Sequence, residues 1–113
     1  MSTTKTAPGE SEIRVRTLGR NEPMQFEVVV HDWGGETHYQ VTMSHTDFER
    51  LAGGSALPEE CVRAAFQFLL DREPKESILR RFDIAVIERY FPEFARELPR
   101  YRDAARPPSG GRS

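Results

Sequence analysis

His31 and His38 flank the glycine pair Gly34-Gly35 and carry the carboxylates of Asp32 and Glu36 with them. Two imidazoles and a carboxylate are a donor set for divalent transition metals. If the chain reverses at the glycines, His31 and His38 meet across the turn, and they are the candidate metal ligands. The competing reading is a pair of histidines facing water on a sheet, because the spacing lacks the tight ligand pattern of a zinc motif. His45 belongs to a helix-capping turn and to neither reading.

Three other places invite chemistry. Trp33, the single tryptophan, sits at the turn tip, where a large ring facing water marks a contact surface. Packing back over its own sheet is the favoured alternative. Residues 77–91 have the outline of a helix-turn-helix, with Arg80, Arg81 and Arg89 available to phosphates. The outline is degenerate. Asp83 stands where the turn glycine belongs, Ile84, Val86, Ile87, Tyr90 and Phe91 make the second helix apolar, and Glu88 repels phosphate. Cys61 falls in the first turns of a helix beside Glu59 and Glu60, which oppose thiolate formation, so a small buried thiol is expected. Gly53-Gly54-Ser55 has no lysine and lacks the spacing of a phosphate loop. No catalytic residue and no cofactor is assigned.

The elements that must position these residues follow from periodicity. Ile13 and Val15 alternate with Arg14 and Arg16 as a first strand, and the segment from Phe26 to Met43 reads as a hairpin. Folding it symmetrically about Gly34 and Gly35 sets Val30 opposite Tyr39, Val28 opposite Val41 and Phe26 opposite Met43. The other face then pairs His31 with His38, Val29 with Gln40 and Glu27 with Thr42. Because strand side chains alternate, the apolar face resists a slip of one residue.

Beyond Met43 the period becomes helical. Ser44-His45-Thr46-Asp47 fits a capping box ahead of Phe48 and Leu51, and Gly53 and Gly54 end that helix. Leu57-Pro58-Glu59-Glu60 opens the next, with Val62, Ala65, Phe66, Leu69 and Leu70 on its buried face and Glu73-Pro74 as its stop. Residues 75–82 read as a short helix, with Asp83 capping another. Ile84, Ile87, Phe91, Phe94, Leu98 and Tyr101 recur at alternating three and four, a stripe that Pro92 and Pro99 interrupt away from its apolar face. The stripe packs on the domain's own sheet or forms a homodimer seam. It is short of the three or four heptads of a coiled coil, so packing on the sheet and a monomer are favoured.

The chain has 113 residues and a formal net charge of −2, with one cysteine. That balance does not imply nucleic acid, no stretch approaches the roughly 18 apolar residues of a membrane span, and a lone cysteine without an export signal suits a reducing cytoplasm. The expected architecture is α+β: a three-stranded antiparallel sheet followed by a C-terminal helical layer of three to five helices on one face. Residues 1–10 are expected to be a disordered lead, 11–104 a single domain and 105–113 a disordered tail.

At Glu76-Ser77-Ile78-Leu79, Arg81-Phe82-Asp83-Ile84 and Tyr90-Phe91-Pro92-Glu93 the chain resembles a small group of uncharacterised bacterial proteins of similar length. The resemblance implies a bacterial cytoplasmic protein and assigns no site. The expected function is a non-enzymatic protein-binding or adaptor module that contacts a protein partner through Trp33, Tyr90, Phe94 and Tyr101. A DNA-associated regulator using residues 77–91 and a metal-binding protein at His31 and His38 are the alternatives.

Overall fold

The computed structural model describes residues 12–52 and 57–105. The leading residues 1–10, the glycine stop at Gly53 and Gly54 and the tail beyond Ala105 lie outside the described residues. Strands β1 (Glu12–Gly19), β2 (Met24–Asp32) and β3 (Gly35–Met43) form an antiparallel meander. A short β4 (Arg81–Asp83) adds in parallel to β3, giving the order β1-β2-β3-β4. Four helices complete the described chain: α1 (His45–Ala52), α2 (Pro58–Leu70), α3 (Val86–Tyr90) and α4 (Phe94–Ala105). The α+β class and the three-stranded meander are as the alternation implies, and β4 is an addition.

The hairpin closes one residue earlier than the glycines suggest. Trp33-Gly34 is the connection and Asp32 pairs with Gly35, so Val30 faces Thr37, Val28 faces Tyr39 and Phe26 faces Val41. Asp32 decides this. Its Oδ1 accepts the Gly34 N–H at 2.8 Å, an Asx turn that fixes where the chain reverses. Gly35 then takes φ +117°, a conformation costly for any residue with a Cβ. The pairing is displaced by two residues, which leaves every side chain on its expected face. Phe26, Val28, Val30, Tyr39, Val41 and Met43 are all buried.

The helix expected over residues 75–82 does not form. A single 3-10 turn at Lys75–Ser77 follows Pro74, and the chain then runs along the free edge of β3. There the Gln40 N–H donates to Arg80 O and the Ile84 N–H donates to Thr42 O, both at 2.8 Å. Phe82 turns inward between the outward Arg81 and Asp83. Two unsatisfied backbone groups on β3 therefore outweigh the local helical spacing. The helix-turn-helix outline over 77–91 disappears with that first helix.

The starts of α1 and α2 follow their sequence signals, whereas Asp83, expected to cap the next helix, ends β4 and α3 begins at Val86 behind Ala85. Ser44 Oγ accepts the Asp47 N–H at 3.0 Å to cap α1. At α2 the Glu60 carboxylate accepts the Leu57 N–H at 3.0 Å, and Pro58 occupies the first turn, where its missing N–H costs nothing. The buried set of α2 is wider than one face, since Cys61, Ala64 and Phe68 join Val62, Ala65, Phe66 and Leu69. Phe66 meets Tyr39 at 5.0 Å and Phe82 at 5.9 Å between ring centroids, on the sheet side. Phe68 meets Phe94 at 5.0 Å and Phe91 and Tyr101 at 5.7 Å, on the opposite side. The helix is thus a middle layer between sheet and α4.

This corrects the expected packing of the 84–101 stripe on the sheet. Ile84, Ile87, Phe94 and Leu98 are buried in the core, and the C-terminal part docks on α2. The opposite face of the sheet carries no helix among the described residues. Within those residues, no helix is long and apolar enough to cross a membrane.

Candidate functional site

A set of local anchors shapes an apolar groove beside α3. The buried Tyr39 hydroxyl donates to Lys75 O at 2.6 Å, while Lys75 Nζ donates to Gly35 O at 2.6 Å and pairs with Asp32 Oδ1 at 2.9 Å. These bonds clamp the 3-10 turn to the hairpin end. Further along, Asp83 Oδ1 accepts from Thr42 Oγ1 at 2.6 Å and its Oδ2 accepts the Ala85 N–H at 3.0 Å, steering the chain into α3. Pinned at both ends, the intervening chain turns Ile78 inward and Leu79 outward.

The result is a cavity of about 290 Å³. Leu69, Ile78, Phe82 and Ile87 supply its buried wall, and Leu79 and Tyr90, 52% and 68% exposed, stand at its rim. Among the described lining residues, Glu73 is the one charged side chain and Ser77 contributes a hydroxyl; there is no imidazole, thiol or amine. Such a lining can take up an apolar group and set a cation or N–H donor against one carboxylate. Its residue types supply no activated nucleophile.

The other candidate residues are dispersed. His31 pairs with Glu36 and His38 with Val29, so the direct imidazole pair across the turn does not exist. Both rings remain on the outer sheet face as diagonal neighbours. His38 Nδ1 lies 3.4 Å from Glu27 and Nε2 lies 3.6 Å from Glu36. Arg16, at 2.8 Å, already engages Glu27 and, with His38, holds its carboxyl below the usual range. No group of three His, Cys, Asp or Glu side chains among the described residues is arranged to hold a metal ion.

Trp33 does not fold back on the sheet: it is 85% exposed at the hairpin tip. Its emission is therefore expected to be that of a water-exposed indole and fully accessible to iodide; a blue-shifted, protected spectrum would contradict this placement. Phe94, expected at a partner surface, is instead fully buried. Tyr101 is half-buried, with its ring on Phe68 and its hydroxyl donating to Asp71 at 2.6 Å. Of the expected contact residues, Trp33 and Tyr90 are exposed. Cys61 is buried, which pushes its thiol up to about 11 and leaves it protonated at neutral pH.

The groove was hidden in the sequence because Ile78 and Leu79 sit in a stretch with helical spacing. The alternation of Phe82, Asp83 and Ile84 was the one local sign of a strand there. Lys75 carries no sign of burial at all. Compared with known proteins, the chain matches no family profile, no curated protein and no solved structure.

Proposed function

We propose that this protein is a non-enzymatic binding module of the bacterial cytoplasm whose groove beside α3 receives an apolar side chain of a protein partner. The supporting observation is the exposure of Leu79 and Tyr90 together on one apolar cavity. A single exposed hydrophobe needs no explanation, whereas large apolar side chains grouped over a concave apolar wall mark a contact surface. The volume is at the low end of the roughly 300–1,000 Å³ typical of small-molecule sites. It suits one anchoring residue better than an extended cofactor. Glu73 adds a charge preference, so the partner segment carries a lysine or arginine next to its aromatic or aliphatic anchor.

Selection from a phage-displayed random peptide library tests this reading. Enrichment of peptides with a bulky apolar residue beside Lys or Arg is expected. Leu79→Asp should weaken a selected peptide at least about tenfold, because it sets a charge against the peptide's apolar anchor at the mouth of the groove. Trp33→Ala should leave it unchanged. No enriched sequence, or one indifferent to Leu79→Asp, would refute the assignment.

A further inference from the structure

One wall of the groove belongs to an unused sheet edge. Strand β4 is last in the order β1-β2-β3-β4, so its second side meets no further strand among the described residues. The Arg80 carbonyl accepts the Gln40 N–H and the Ile84 N–H donates to Thr42 O, and main-chain groups alternate in direction along a strand. The N–H and C=O of Arg81 and Asp83 therefore point away from β3, to the open edge. Among the described residues nothing bonds to those groups. A free edge of this kind takes up an added strand.

Phe82, between Arg81 and Asp83, turns inward and forms part of the buried wall of the groove. In an antiparallel addition the residue opposite Phe82 shares its face, at a position without mutual main-chain bonds, where cross-strand side chains approach most closely. That residue is the groove's apolar occupant. Its two neighbours then exchange main-chain bonds with Arg81 and Asp83, so the anchor and one residue on either side engage every free edge group. A parallel segment has to be longer to make the same bonds.

Charge sets the order of residues. Arg81 is exposed on the outer sheet face and has no ion pair among the described residues, whereas both Asp83 carboxylate oxygens are already engaged, by Thr42 and by the Ala85 N–H. In an antiparallel strand the residue after the anchor faces Arg81. An Asp or Glu there meets an unpaired guanidinium.

We propose, resting on the groove assignment above, that the partner segment binds as an extended strand antiparallel to β4, with its apolar anchor opposite Phe82 and an acidic residue directly after the anchor.

Fluorescence anisotropy of the full chain with a fluorescein-labelled peptide of the enriched sequence tests the proposal. The enriched sequences should carry Asp or Glu after the anchor. N-methylation of that acidic residue removes the donor to Arg81 O and should weaken binding at least about tenfold, whereas N-methylation of the anchor, whose N–H faces away from β4, should change it less than about threefold. Arg81→Glu should weaken the same peptide at least about threefold, and a peptide with lysine in place of the acid should regain binding to that variant. A peptide that needs Leu79 yet responds alike to the two methylations, or ignores Arg81→Glu, would overturn the added strand and leave the groove assignment standing. Absence of any enriched peptide would overturn both.

Discussion

Truncating Phe68 to alanine is expected to lower the unfolding free energy by about 3–5 kcal/mol. Phe68 is fully buried and packs on Phe91, Phe94 and Tyr101, which fasten the C-terminal segment to α2. The Arg72 guanidinium also lies 3.7 Å above its ring centroid, a cation–π attraction that disappears with the ring. Against a total of about 5–15 kcal/mol for a domain of this kind, the effect is large. Urea unfolding followed by circular dichroism measures it. Hydrogen exchange should show where it falls: amides of α4 lose protection first, while β2 and β3 keep theirs, because Phe66 still closes the sheet side of the helix. A destabilisation below about 1 kcal/mol would mean that α4 is held by other side chains.

The second large effect lies in the hairpin clamp. Lys75 is 4% exposed, whereas the Asp32 side chain is 23% exposed. The partners are therefore unequal. Asp32→Ala leaves a buried ammonium without its counter-charge and removes the acceptor that fixes the turn at Gly34, for a cost of about 3–5 kcal/mol. Lys75→Met keeps most of the buried aliphatic volume and leaves a carboxylate that water reaches, so about 1–3 kcal/mol is expected, from the lost ion pair with Asp32 and the lost Nζ hydrogen bond to Gly35 O. Reversal of that order in thermal or urea unfolding would contradict the burial of the amine.

The same pair sets an acid response. The hydrogen bond from Lys75 holds the Asp32 carboxyl below its usual value, outweighing the opposing effect of burial, and the Gly34 N–H adds to it. A depressed folded-state pKa means that the stabilisation is complete above the unfolded value, about 3.9. It drains away as the pH falls through the lower folded value. Stability of the wild type should fall more steeply below about pH 4 than that of Asp32→Asn.

Sequence patterning carried the sheet's faces, since period-two alternation survives a two-residue displacement of the hairpin. It did not carry the register, because Asp32 rather than the glycine pair decides where the chain reverses. Nor did it carry β4: three residues alongside the free edge of β3 are chosen by long-range hydrogen bonds, which local spacing does not encode. The missed burial of Phe68 has a different origin. A one-face reading of α2 assigns this residue to solvent, and only the return of α4 over the helix gives it neighbours. The groove depends on both of these non-local events. Tyr90 was legible as an exposed aromatic, but the wall beneath it was not.

The sequence contains two lysines, Lys5 and Lys75, against a large excess of arginines. Within the described residues an acylating reagent thus has one ammonium side chain to find, and the fold encloses it. Covalent tagging at position 75 must wait for the turn to swing away from the hairpin, so its time course is a built-in clock for that excursion, readable from the mass of the peptide that carries Lys75.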